Sequence, residues 1–266
     1  MKPYLSVLRV RFLLLLQYRL AALASMCAPM LFGLVIVMVF DTFYRSAAGV
    51  QPMSYAQTVT YVWLGQALLT VQPWNGDSEI MRMIRSGNLA YELCRPLSLY
   101  SYWFARALAL RTAPMTLQSL PIFAFAAILP TNYRIRGPAS LAALGSSLIL
   151  LAGAIMISCA ITNLMNIATL FSIAGEGIIR LVPALVMLLS GSIVPIPLFP
   201  LWIQRILHFL PFSGIVDTPQ RFYVGLSSPS QMLPFLLHQF VWTAILVYAG
   251  QWLLARAMKR VVIQGG

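Results

Sequence analysis

Chemistry that moves protons or holds metals needs histidine, carboxylate or thiolate side chains within reach of one another. This chain has two histidines, His208 and His238, six acidic residues and three cysteines. A hydrolase built on Asp217 and His208 would also need a nucleophile elbow. No G-x-S-x-G occurs, and "GSIVP" from Gly191 does not supply one. Two histidines without an acidic cluster make no metal pattern. Cys27, Cys94 and Cys159 are far apart and odd in number, so neither a disulfide framework nor a zinc spacing follows. A phosphate loop G-x-x-x-x-G-K-[ST] is also missing. The only lysines are Lys2 and Lys259, neither in a glycine-rich turn. The expectation is a chain that is not an enzyme, with no metal and no cofactor of its own.

Charge collects instead in one internal stretch, "GDSEIMRMIRSGNLAYELCRPLSLYSYWFAR", Gly76 to Arg106. It holds Asp77, Glu79 and Glu92 beside Arg82, Arg85, Arg95 and Arg106. Asp77 or Ser78 can cap a helix, and Glu79 in its first turn suits the positive end of the dipole. Ile80, Met83 and Ile84 share a face, Arg82 and Arg85 lie toward the C-terminal end, and Gly87 closes the helix. Pro96 marks another break, and from Leu97 to about Arg111 a helix rich in Tyr, Trp and Arg re-enters the headgroup zone. A helix of two turns is unstable alone in water and must dock. It docks either on its own membrane domain and lipid headgroups, or with its exposed face in a cytoplasmic partner.

The elements that carry this loop follow from composition. The 266 residues are 60% hydrophobic and only 9% charged, against about 25% charged in a soluble domain. The bilayer is the natural solvent. A net charge of +12 could suit nucleic acid, but the basic residues are scattered between apolar runs, so no nucleic-acid role follows. A spanning helix needs about 20 apolar residues. Six stretches qualify, near 20–40, 54–73, 112–130, 139–165, 176–194 and 234–255. Residues 1–19 are amphipathic and predict a helix along the membrane surface rather than a signal peptide, since Arg19 interrupts the apolar stretch. The fold class expected is an all-α membrane protein: six transmembrane helices in a single domain over 1–266, with no internal repeat.

Thirteen Lys and Arg fall on the side of the termini and the 74–111 loop: residues 2, 9, 11, 19, 82, 85, 95, 106, 111, 180, 256, 259 and 260. Five fall on the other: Arg45, Arg134, Arg136, Arg205 and Arg221. The positive-inside rule places both termini in the cytoplasm. Within the spans, Gln57, Gln66 and Gln72 are candidates for packing or for lining a path. Glu176 lies four residues before Arg180 and reads as an interfacial ion pair or a gate. Asp41 and Arg45 read as a solvated pair outside the first span.

The run "IRSGNLAYELCRPLSLYSYWFAR" resembles the loop between the second and third spans of ABC type-2 transporter permeases. There an I-R-x-G-x-L-x-x-L-x-R-P pattern follows a short coupling helix. Gly87, Leu89, Leu93, Arg95 and Pro96 match the pattern, and Glu79, Ile80, Arg82, Met83, Ile84 and Arg85 take the coupling helix's place. "LSGSIVPIPLFPLWIQRILHFLPFSGIVDTP", Leu189 to Pro219, is similar to the family's outer element. Pro195 and Pro197 stop the fifth helix, and Pro200 suits the first turn of a new one. Leu201, Trp202, Ile206, Phe209 and Leu210 are expected to bury a face, with Gln204, Arg205 and His208 toward water or polar neighbours. A re-entrant or interfacial hairpin on the outer side fits over 195–219, and the resemblance implies an outer gate there with Gly191, Pro195, Pro197, Pro200, Pro211 and Phe212.

The resemblance implies the permease subunit of a bacterial ABC exporter in the cytoplasmic (inner) membrane. It implies a separate ATP-binding subunit carrying ATP and Mg, and a second permease, identical or related. Few charges lie deep in the spans, which favours an apolar or amphipathic cargo. The alternative is an ATP-independent carrier or scaffold, whose sign would be an inverted repeat.

Overall fold

In hydrocarbon every backbone polar group must be satisfied internally, and a helix does this within one segment. The computed structural model describes residues 2–17, 19–47, 49–89, 92, 94, 96–171 and 175–259. The described residues form ten α-helices: α1 (Lys2–Gln17), α2 (Arg19–Ser46), α3 (Tyr55–Ala67), α4 (Ser78–Arg85), α5 (Leu99–Ile128), α6 (Leu141–Phe171), α7 (Gly175–Leu189), α8 (Leu201–Phe209), α9 (Asp217–Tyr223) and α10 (Met232–Met258). The all-helical expectation holds.

Three helices are long and apolar enough to cross a membrane, over Ala24–Ser46, Leu141–Phe171 and Pro229–Met258. They overlap the first, fourth and sixth stretches read from the sequence. The other three take different forms. α3 has 13 residues and gives way to a 3-10 turn at Leu69–Val71. At 1.5 Å per residue it is about 20 Å long, short of a hydrocarbon core of about 30 Å. Every residue from Thr58 to Ala67 is buried, so α3 is wrapped by protein. The stretch at 112–130 is the second half of α5, which runs unbroken for 30 residues through Pro114 and Pro121. The expected headgroup helix and third span are thus one element. The Thr112 hydroxyl, before Pro114, donates to the Leu108 carbonyl, and the Thr116 hydroxyl, after it, to the Ala113 carbonyl. α7 has 15 residues, with Pro183 inside.

α6 is central and touches α4, α5, α7, α9 and α10. Its inward residues are unusually polar. Ser147 Oγ donates to the Pro219 carbonyl (2.8 Å), Ser158 Oγ to the Val71 carbonyl, and Asn163 Nδ2 to the Tyr100 carbonyl (3.2 Å). Each contact crosses to another element and sets its register, the role polar side chains take between apolar helices. Gln239 of α10 donates to the carbonyls of Leu150 (2.9 Å) and Gly214 (2.8 Å). Gly153 makes room for it, because a Cβ there would lie 2.2 Å from Gln239 Oε1. Gly153→Ala is expected to lower the thermal unfolding midpoint in detergent, at an overpacking cost of about 1–3 kcal/mol. An unchanged midpoint would show that Gln239 does not tie α10 to α6.

α1 forms where the amphipathic pattern predicts it and runs beside the first half of α5. The Ser98 N–H donates to the Tyr4 hydroxyl at 3.1 Å. Leu5, Val10 and Leu13 face outward and are exposed. Asp41 and Arg45 pair at 2.9 Å, within the last turns of α2.

Candidate functional site

α4 has both ends built by local chemistry. Asp77 is the N-cap, and its Oδ1 accepts from the N–H groups of Glu79 (3.0 Å) and Ile80 (3.3 Å). At the other end Gly87 has φ +73°. Its N–H donates to Ile84, and Asn88 N–H donates to Met83, the pattern that closes a helix on a left-handed glycine. Arg82 and Arg85 sit in the last turn, where the dipole favours cations.

The apolar stripe of α4 packs inward. Ile80 is fully buried in a cluster with Leu89, Tyr100, Trp103, Ile167 and Leu254, and Met83 and Ile84 pack against it. The outward face is therefore polar: Ser78, Arg82, Arg85, Ser86 and Asn88 are exposed. Pro96 is exposed as well. Arg95 and Leu93 lie outside the described residues.

An ion-pair base anchors this helix. Arg106 of α5 is 3% exposed. Its Nε donates to Asp77 Oδ2 (2.8 Å) and its Nη2 to Asp77 Oδ1 (2.9 Å), a bidentate fork. Nη2 also donates to Glu79 Oε2 at 2.5 Å. Arg11 of α1 donates to the same Glu79 oxygen. Two guanidinium groups and two carboxylates thus join α1, α4 and α5. Burial lowers the pKa of Arg11 and the Arg106 charge adds to this, while Asp77 opposes both. Asp77 N–H donates to Asn166 Oδ1 of α6 at 2.9 Å.

The segment leading into α4 is held separately. Arg111, 2% exposed, donates to the carbonyls of Gln72 (2.9 Å) and Asn75, to Asn75 Oδ1 (3.4 Å) and to Thr162 Oγ1 (3.0 and 3.2 Å). Among the described residues all of these partners are neutral. Sequence reading placed Arg106 and Arg111 among loop charges and missed their burial. The signal was there in "YWFARALALR", where arginines recur inside an apolar helical run and so need buried partners. Arg11, 68 residues before its partner Glu79, carried no such mark.

The segment 195–219 also forms short helical elements. Pro200 stands at the N-cap of α8, and Pro195 precedes a 3-10 turn at Ile196–Leu198. Gly191 has φ +85°, and a Cβ there would meet the Tyr61 hydroxyl at 2.8 Å. That hydroxyl donates to Asp217 Oδ1 at 3.0 Å. Asp217 is fully buried and pairs with Arg221 at 2.9 Å, and Arg221 Nη2 lies 3.0 Å from His208 Nε2. Pro195 and Pro211 are buried and Phe212 and Pro197 half-buried. One expectation reverses here. Leu201, Trp202, Ile206 and Phe209 are exposed, and Leu207 is the buried residue of α8. The reason is that Gln204 turns inward to bond the Pro197 (3.1 Å) and Phe199 (2.7 Å) carbonyls. His208 likewise meets Arg221, so Gln204 and His208 face protein while Arg205 is exposed.

Gln66 is buried against Gly33 of α2, and Gln72 Nε2 donates to Ser192 Oγ at 3.0 Å. Gln66 and Gln72 thus contact other elements rather than one another. The Glu176 side chain lies outside the described residues. Among the described residues no group of three or more His, Cys, Asp or Glu comes together to hold a metal ion.

No curated protein matches the chain in a sequence search. The family model described as "ABC-2 family transporter protein" matches residues 30–265, from the middle of α2 past the end of α10. A match of that length takes in the loop that carries α4, the segment 195–219, most of the first long apolar helix and all of the other two, and the chain belongs to the ABC-2 transporter family of membrane proteins.

Proposed function

We propose that the chain is the membrane-spanning permease subunit of an ATP-driven exporter in a bacterial inner membrane, and that α4 is its coupling helix. The carrying observation is the build of α4. A two-turn helix has its apolar face and acid cap locked into the membrane domain by Arg106 and Arg11, while its basic end stays outside. A helix held so rigidly moves only with α1, α5 and α6, so a push on its exposed end reaches the spans. Arg82 and Arg85 would meet an acidic groove on a separate ATP-binding subunit, which holds ATP and Mg. Met83 and Ile84 contribute at the edge, and Ile80 and Glu79 fix the helix from within. Gly87 and Pro96 shape the exit of the loop.

The chain would cross the bilayer six times. α2, α6 and α10 cross as full-length spans, α5 as a long helix, α3 as a short segment shielded by neighbours, and α7 as a short apolar helix with much of its surface exposed. Both termini then lie in the cytoplasm, on the side rich in arginine. The outer element dips back from the far side as a re-entrant hairpin, with α8 laying its exposed apolar face on lipid. Gly191, Pro195, Pro197, Pro200, Pro211 and Phe212 form the outer gate, tied to α3 through Tyr61 and Asp217. Two permeases and two ATP-binding subunits assemble. ATP binding draws the nucleotide subunits together, the α4 helices follow, and the path between permeases changes exposure. Gln66 and Glu176 are its candidate polar points, and the cargo is apolar or amphipathic.

Arg82→Glu with Arg85→Glu tests the interface without touching the buried base. The wild-type chain, purified in mild detergent, is expected to bring down an ATP-binding protein that the variant loses while keeping its own unfolding midpoint. Equal recovery with both chains would remove α4 as the docking element. No ATP-binding protein with either would favour an ATP-independent carrier or scaffold.

A further inference from the structure

A lateral groove of about 440 Å³ runs between α1, α5, α6 and α10, in the size range of small-molecule sites, about 300–1,000 Å³. It shares no residue with the ion-pair base of α4. Its walls are graded. Leu8, Phe104, Leu108, Met156 and Val247 make it apolar, and Tyr4, Ser101 and Gln251 add polar atoms.

The polar residues gather at one end. Tyr4 accepts from Ser98 N–H, so the starts of α1 and α5 lie together. Gly250 packs against Tyr100, which brings the end of α10 to the same level. Tyr4, Ser101 and Gln251 therefore stand near that end. Leu108 lies about two turns further along α5. Met156 lies about two turns along α6 from Asn163, whose side chain donates to the Tyr100 carbonyl. The groove is polar at the end where α1 and α5 begin and apolar in its depth.

It opens on a face that meets hydrocarbon. α10 is a candidate span of which almost nothing is buried. Tyr248 and Trp252 beside the groove, and Leu5 on its α1 wall, are more than half exposed. Beyond the polar end, Arg256 stacks on Trp252 at 4.7 Å, and Lys259 is exposed. Cations at that level favour a phosphate headgroup. Water gains little in the apolar depth, which has few polar atoms to bond it.

We infer that this groove is a resident-lipid site: one acyl chain of a phospholipid from the leaflet at the α1 end lies along α5 between α1 and α10, with its phosphate toward Tyr4 and Gln251, at the level of Arg256 and Lys259. The lipid completes the packing of α1 against the helices it accompanies.

The probe is a phosphatidylglycerol bearing a diazirine in one acyl chain, mixed into vesicles holding the full chain with whatever subunits co-purify. After irradiation, adducts are mapped by peptide mass spectrometry. Adducts are expected to concentrate on peptides containing Phe104–Leu108 and Met156, above the level on the exposed α2 face at Leu31–Val39. Met156→Trp and, separately, Leu8→Trp fill the groove from two helices and are expected to abolish that excess while leaving α2 labelling unchanged. Either variant suffices if the other does not insert. Uniform labelling over all exposed helices, or an excess that survives filling, overturns the site. A label displaced when ATP and Mg are added to the assembled complex would mean cargo in transit, and would overturn a resident lipid.

Discussion

Arg106→Gln will give a chain that inserts but unfolds at a markedly lower temperature and no longer supports transport in the assembled complex. Arg106 is nine-tenths or more buried and grips Asp77 with two nearly parallel N–H···O bonds. Removing one member of a buried ion pair leaves the other charge without compensation, at a cost of about 3–5 kcal/mol. Most of this falls on Asp77, whose side chain is 13% exposed; Glu79, at 44%, is partly screened by solvent. Asp77 is also the cap of α4, so its displacement loosens the first turn of that helix. Thermal unfolding in detergent reads the stability part. Vesicle uptake or release with the partner ATPase present reads the functional part. The double variant Arg106→Gln with Asp77→Asn is expected to recover part of the lost stability, because both charges are then gone. It is not expected to recover transport, because the rigid link from α4 to α5 is still missing. An unchanged melting temperature and unchanged transport in the single variant would sink this account of α4.

The second large effect is expected at Arg111→Met. This guanidinium holds no carboxylate among the described residues. It spans the carbonyls of Gln72 and Asn75 and the hydroxyl of Thr162, and so anchors the non-helical segment between α3 and α4 to α6. Loss of the side chain strands the buried Gln72 carbonyl and releases the part-buried carbonyl of Asn75. Hydrogen bonds to a charged group are each worth about 1.5–3 kcal/mol and do not add simply, so a destabilisation of at least about 3 kcal/mol is expected. Arg111→Lys should rescue little. One ammonium keeps the charge but cannot fork across acceptors on three residues. Arg205→Ala, at an exposed arginine on α8, serves as the control and is expected to stay within about 0.5 kcal/mol of wild type. If Arg111→Lys matches wild type, charge alone suffices and the clamp is not geometric.

Helix content, membrane residence and the short capped helix at Asp77–Gly87 were legible without coordinates. They depend on local chemistry: apolar run length, an acid at the N-cap, arginines in the last turn, and a glycine free to take φ > 0. The proline-rich start of the outer element was legible for the same reason. The face that α8 buries was not. Apolar residues in a soluble helix turn inward, whereas here Gln204 and His208 bond to protein, and Leu201, Trp202 and Phe209 are left exposed.

Most of the helical segments and the bilayer as their solvent follow from residues close together in the chain, which is why run length and capping residues were enough to find them. Tertiary structure alone decided which segments are full-length spans and which charges are buried. α3 can be 13 residues long because α2, α5 and α9 surround it, and no local pattern states that shielding. Arg106 and Arg111 read as loop charges until Asp77, Glu79, Gln72 and Asn75 are brought to them from 27 to 39 residues away. A buried cation is tolerated only where the fold supplies its partners, and those partners are set by packing between helices rather than by neighbours in sequence.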